Sequence, residues 1–311
     1  MSPSLVWRWI QRSVSPPIRS GRHPTSGRAA SNPPRVWTRP DLIGGDTLRW
    51  IHRQTSDGDI YFVANTLGTR LQAAPVFRVD ATSQPAFWNA LDGSVTPCGL
   101  FEFAVEAGGV RVPLTLEPGE SRFVVFAKTH RAQVTGLAAV GNPECALPAP
   151  TVTSDPTQAT LVTWQNQPYD VTLPNKQLLR VEAVDLPQPQ VLAGAAWQTT
   201  FLEGTAGTAQ SRAVFQFKQA TLGRLRTRVM LDLGPVSNMA RVVLNGKPFA
   251  TLWCAPYRLD VTGAIHDGDN TLEVFVTGTT AKRLGPKDPT PAGLPGPIRL
   301  LVGAEIPLAQ K

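Results

Sequence analysis

The sequence predicts an all-β protein: two antiparallel β-sandwich domains behind a disordered N-terminal tail. Three observations carry that expectation. From residue 41 onward the apolar residues recur with period two, the repeat of a half-buried strand. Gly, Pro and Asp break the apolar runs at short intervals, as they do in all-β sandwiches. There are also 29 prolines in 311 residues, near twice ordinary usage. In a helix each would remove a hydrogen bond and clash with the preceding turn.

Residues 1–40 form the tail. They hold Arg8, Arg12, Arg19, Arg22, Arg28, Arg35 and Arg39, and no acid. The whole chain has 30 basic and 23 acidic residues, so removing those seven leaves residues 41–311 balanced. The net charge of +7 is a property of the tail. A nucleic-acid-binding face needs a local excess of Lys and Arg on the folded part, so no nucleic-acid partner is expected. The Arg- and Ser-rich composition superficially suggests an organelle transit peptide. Prolines at 16, 17, 24, 33, 34 and 40 break the amphipathic helix such a peptide needs. Arg8 interrupts the apolar run Leu5–Ile10, so no secretory signal is expected. No run approaches about 18 apolar residues, and no membrane partner is expected. Cys98, Cys145 and Cys254 match no zinc spacing, and His23, His52, His130 and His266 are equally scattered. No metal site and no cofactor are expected.

Residues 41–130 are expected to form a small antiparallel β-sandwich. Ser56–Asp59 is a turn and Ile60–Ala64 an aromatic and β-branched strand. Val76–Val79 repeats the theme. Val110, Val112, Leu114 and Leu116 alternate with polar residues and proline, Glu117-Pro118-Gly119 turns the chain, and Arg122–Phe126 is the next strand. Residues 131–190 read as a linker with short strands, Ala159–Trp164 and Leu178–Val184, between proline-rich stretches.

Residues 191–311 carry the cleanest alternation. Leu225, Thr227, Val229, Leu231 and Leu233 form one face of a strand, and Ala240, Val242 and Leu244 form one face of the next. Asn245-Gly246 follows, the pair that best tolerates φ > 0 at both centres of a type I′ hairpin. Tyr257, Leu259 and Val261, then Leu272, Val274 and Val276, give two more strands around the turn Asp267–Asn270. A β jelly roll fits this pattern.

The stretch Leu231–Val276 resembles the sugar-binding, galactose-binding-like jelly roll of glycoside hydrolase family 2 type. The matched residues are Asn245, Gly246, Pro256, Tyr257, Asp260, Val261, Thr262, Gly268, Asn270, Leu272, Val274 and Val276. Leu252-Trp253 and the closing Gly293–Leu300 narrow the resemblance to the C-terminal region of α-L-rhamnosidases of glycoside hydrolase family 106. Arg49–Arg53, Asp57–Asn65 and Phe87–Gly93 resemble the stretch after the catalytic barrel of those enzymes. The resemblance covers about residues 41–130 and 190–311. It implies an accessory region whose partner is a catalytic (β/α)₈ barrel or a carbohydrate. The sequence has no βαβ periodicity over the roughly 250 residues a barrel needs. Residues 41–60 should therefore leave an uncovered apolar patch where the barrel would sit.

Glycosidases need two carboxyl groups flanking the scissile bond. Asp57 with Asp59 and Glu102 with Glu106 are the candidates by spacing. The first pair brackets a turn, where Asp caps local amides, and the second shares the outer face of a strand. A structural reading is favoured for both, and for His52. No nucleophile elbow, phosphate loop or dinucleotide fingerprint occurs. No catalytic residue is assigned. For a bound sugar the candidates are Trp253, Tyr257, Arg258 and Asn245: aromatic faces for C–H groups and planar polar groups for hydroxyls. The expectation is an accessory, non-catalytic region of an α-L-rhamnosidase-like glycoside hydrolase, inactive alone. The alternative is a stand-alone carbohydrate-binding module.

Overall fold

A computed structural model describes residues 40–141, 146–192, 197–202, 207–278, 294 and 296–308. The tail expected at residues 1–40 lies outside them except for its last residue. The protein is all-β. Every strand pairing within its sheets is antiparallel, and no α-helix occurs among the described residues. Leu42–Lys311 is one compact unit.

The first sandwich is built on Gly58–Ala64. Its alternation buries Asp59, Tyr61 and Val63 and leaves the residues between them partly covered. Arg49–Thr55 pairs on one side of it and Ser121–Lys128 on the other, followed by Ser83–Trp88 and Val95–Pro97. The facing sheet runs Leu42–Ile43, Val76–Phe77, Gly109–Arg111, Glu102–Ala104. Tyr61 and Phe126 from one sheet and Phe77 and Val110 from the other fill a common core. The rings of Tyr61 and Phe77 meet edge to face at 4.9 Å, a geometry worth about 0.5–1.5 kcal/mol beyond area burial. Arg49–Thr55 is an edge strand, and Trp50 and Ile51 stand exposed on it, with Ile51 63% accessible. Ile43 is exposed nearby in sequence. Adjacent strand residues point to opposite faces, so Trp50 and Ile51 are exposed on different sides of the strand and do not by themselves make the one patch expected.

The last sandwich has the longest strands. Thr208–Phe217 and Gly268–Thr277 pair over ten residues, with Met239–Leu244 on the far side of the second and Gln198–Phe201 on the far side of the first. Their inward residues Phe215, Val242, Leu244, Leu272 and Val274 meet Val229, Leu231, Leu300 and Val302 of the other sheet in an aliphatic core. The hairpin closes as the sequence predicts. Leu244 pairs with Lys247, and Asn245 and Gly246 both take positive φ, 51° and 77°.

Residues 134–181 contribute strands to two sheets. Gly136–Ala139, Tyr169–Thr172 and Leu178–Val181 form a three-stranded sheet. Thr151–Ser154 and Ala159–Thr163 extend the sheet of Arg226–Asp232, joined to it through Arg299–Leu308. That final strand serves both cores. Leu300 and Val302 face the last sandwich, and Leu308 packs with Tyr169 and Val171. Gly303 sits where any side chain would strike Trp164, since a Cβ would lie 2.7 Å from Trp164 Cε3.

Candidate functional site

The described residues enclose a cleft of about 900 Å³, within the range of roughly 300–1,000 Å³ typical of ligand sites. Its walls come from distant parts of the chain. Trp88, Glu117, Glu120 and Arg122 belong to the first sandwich; Trp253 and Arg258 belong to the last.

One tight turn aims the acidic wall. Glu117-Pro118-Gly119-Glu120 closes with Glu120 N–H donating to Glu117 O at 3.0 Å. Gly119 has φ 75°, the conformation a type II turn requires at its third residue, after proline at its second. Glu120 Oε2 accepts the Glu117 N–H at 2.8 Å, which fixes the second carboxylate on the turn. Each carboxylate then meets an arginine. Arg70 grips Glu117 through Nη2 at 2.6 Å and Nε at 3.2 Å, and Arg122 Nη2 donates to Glu120 Oε1 at 2.5 Å. The Arg122 guanidinium also lies 4.7 Å over the Phe87 ring.

Glu117 is also the crossing point between the two walls. Arg258 places Nη1 3.5 Å from Glu117 Oε1 and donates from Nε to Asp232 Oδ2 at 3.2 Å. Asp232 in turn accepts from Arg299 Nη2 at 2.8 Å. Arg70, Glu117, Arg258, Asp232 and Arg299 therefore form one alternating chain of charges across the joint. Arg70 Nη2 adds a bond to Leu147 O at 2.6 Å, which brings in the middle segment.

The four residues singled out from sequence occupy different situations. Leu252 exchanges both backbone hydrogen bonds with Ala240 and is fully buried. The next side chain must then point the other way, and Trp253 is 56% exposed on the rim of the cleft. Arg258 lines the same cleft. Tyr257 lies between them, packs on the core of the last sandwich and donates its hydroxyl to Asn238 O at 2.8 Å. Burial, and then the neighbouring Cys254, push its phenol up from the ordinary range. Asn245 belongs to the hairpin. Its amide donates to Ala264 O and Asn270 Oδ1, and its carbonyl accepts the Thr271 N–H at 2.8 Å. The structure brings Trp253 and Arg258 together at the cleft and uses Tyr257 and Asn245 as local supports. Sequence reasoning missed Trp88, Arg122 and the two glutamates. The available signal was a pair of carboxylates on one Pro-Gly turn.

The other candidates resolve into structural contacts. Asp57 lies in the exposed turn, where Ser56 Oγ donates to it at 3.2 Å. Asp59 is buried and bonded to His52 Nε2 at 2.8 Å. The His52 ring stacks on Tyr61 at 4.1 Å. Glu102 and Glu106 do not share a strand face. The strand ends at Ala104, and Val105–Ala107 makes a 3₁₀ turn closed by Gly108 in the left-handed region. Among the described residues no cluster of three or more His, Cys, Asp or Glu has metal-binding proximity. Cys98 is buried and its thiol is pushed up to about 12 by desolvation.

Residues 36–102 match the model of the family described as alpha-L-rhamnosidase, glycoside hydrolase family 106. The chain resembles α-L-rhamnosidases. A solved rhamnosidase from Novosphingobium sp. PP1Y superposes on 84% of this chain with a TM-score of 0.52 and 26% identity. The match covers 24% of that enzyme. A Formosa agariphila protein, provisionally named a beta-glucuronidase, is 36% identical over 145 residues, which is 38% of this chain and 12% of the relative. The chain thus spans about a quarter or less of each of these two relatives.

Proposed function

We propose that this chain is an accessory, non-catalytic region of an α-L-rhamnosidase-like glycoside hydrolase. The observation that carries the reading is the pattern of the match: most of this chain superposes on a quarter of a rhamnosidase. The described residues are strands and loops, without the α-helices of a (β/α)₈ barrel. Of the carboxyls paired by sequence spacing, Asp57 serves a turn, Asp59 a buried histidine contact, Glu102 an ion pair with Arg111 of the adjacent strand, and Glu106 a 3₁₀ segment, structural roles for all four. The last sandwich serves as a jelly roll of the sugar-binding type. The test is incubation of the purified chain with 4-nitrophenyl α-L-rhamnoside. No nitrophenol release above a heat-denatured control is expected; release that co-elutes with the folded protein would refute the reading.

A second reading, a carbohydrate-binding module, is favoured by one observation. Trp253 is an exposed indole at the mouth of a cleft that also holds Arg258. Sugars offer C–H faces to aromatic rings and hydroxyls to planar polar groups. In this reading Trp253 and Arg258 touch the sugar, Tyr257 fixes the loop between them, and Asn245 fixes the hairpin beside it. The two readings are compatible, since an accessory region of a glycosidase can hold substrate.

A further inference from the structure

We propose that the cleft between the first and last sandwiches binds a neutral oligosaccharide, with Trp88, Glu120 and Arg122 completing the site that Trp253 and Arg258 begin. This rests on the carbohydrate-binding reading and names its ligand class. The first argument is composition. The cleft offers indoles from both walls, Trp88 and Trp253, beside carboxylates and guanidinium groups. Carboxylates accept two hydrogen bonds from vicinal hydroxyls, and guanidinium donates to hydroxyl oxygens. Its volume of about 900 Å³ admits more than one sugar ring on the scale of ordinary ligand sites.

The second argument is charge, and it selects among sugars. The relatives bear rhamnosidase and glucuronidase names, so neutral and anionic glycans are both in question. Four cations line the cleft among its described residues: Arg70, Arg122, Arg228 and Arg258. Each already has a carboxylate. Arg70 pairs with Glu117, Arg122 with Glu120, Arg258 with Glu117 and Asp232, and Arg228 with Asp260 at 3.0 Å. A uronate would have to compete with these resident carboxylates for guanidinium and would sit beside them with like charge. A neutral ring meets neither penalty and can use the remaining N–H donors and carboxylate lone pairs.

Isothermal titration with neutral and anionic probes tests this. The neutral probes are tetrasaccharides of glucose, galactose and xylose and a rhamnosyl-glucose disaccharide; the anionic probe is tetragalacturonate. At least one neutral probe should bind, and tetragalacturonate should bind more weakly. Trp253→Ala should lose about tenfold or more, as exposed aromatic anchors do, while Trp253→Phe retains most of the affinity. Met239→Ala, at an exposed residue of the last sandwich outside the cleft, should change nothing. Glu120→Gln keeps the acceptor for the Glu117 N–H but releases Arg122 from its carboxylate, so tetragalacturonate should gain several-fold relative to the neutral probe. Absence of binding to every neutral probe, preference of the parent protein for tetragalacturonate, or an unchanged preference in Glu120→Gln would overturn the proposal. Preference for tetragalacturonate overturns the neutral ligand class alone, absence of binding to every probe overturns the carbohydrate-binding reading with it, and the accessory-region reading falls only if the chain hydrolyses an aryl rhamnoside.

Discussion

The first and last sandwiches share an architecture but are held together differently. The first is made of short strands around large rings, Tyr61, Phe77, Phe101 and Phe126, and it relies on polar pins. Asn65 is one: it is 1% exposed, donates to Thr69 O, Leu116 O and Glu117 O, and accepts the Leu67 N–H. The last sandwich has one ten-residue ladder, flanked by pairings of up to seven residues, and an aliphatic core in which Val and Leu predominate, and its register is fixed by length and alternation. Short strands need specific contacts at their ends to fix register, whereas a long alternating ladder fixes register through its buried face.

That contrast ranks the expected effects. Ending the chain at Ile298 removes the strand shared by the last sandwich and the middle segment. The remaining residues 134–298 should then lose their cooperative thermal transition, measured by calorimetry, and a surviving transition of ordinary height would break the comparison. Leu272→Ala, in the fully buried aliphatic core, should cost about 2–5 kcal/mol in denaturant unfolding. Glu117→Ala removes the shared partner of Arg70 and Arg258, both partly buried, and should cost about 3 kcal/mol. Asn65→Ala should cost about 1–3 kcal/mol through the carbonyls it leaves unpaired, a larger loss than an exposed Asn would give. The smallest effect concerns Asp80. Its carboxyl is held down at about 2, first by the Thr82 N–H, then by the Thr82 hydroxyl and Lys128. A depressed acid contributes stability above its unfolded pKa near 4, lost as pH falls toward 2. Asp80→Asn should lose that small contribution at neutral pH, flatten the acid limb of the stability curve over that window, and leave stability below about pH 2 nearly unchanged.

Thiol chemistry sharpens the same contrast. Burial raises the Cys98 thiol more than that of Cys254, where partial burial and then Glu120 raise it. Iodoacetamide at pH 8 should modify Cys254 slowly and Cys98 only on unfolding.

The parts legible in the sequence were those governed by local physics. Asn245-Gly246 had to be a turn because both residues take positive φ, and the alternation of Ala240, Val242 and Leu244 had to face a core. Trp253 and Arg258 were legible as chemistry because they lie close together in the chain. The other wall of the cleft was not. Glu117 and Arg70 are 47 residues apart, and Asp232 and Arg299 are 67 apart, and no local pattern announces such pairs. Asn245 shows the converse: its residue type suits a sugar hydroxyl, but local backbone groups already hold it. The strand end at Ala104 was also hidden, since Phe-Glu-Phe-Ala-Val-Glu alternates well and only the left-handed Gly108 closes it into a 3₁₀ turn.

The most direct measurement follows one substrate through the protein. A rhamnosyl-glucose disaccharide is held overnight with a stoichiometric amount of the folded chain and analysed by mass spectrometry. An accessory region that binds without catalysis returns the disaccharide intact. Free rhamnose and glucose, formed in proportion to protein and lost on denaturation, would contradict the account.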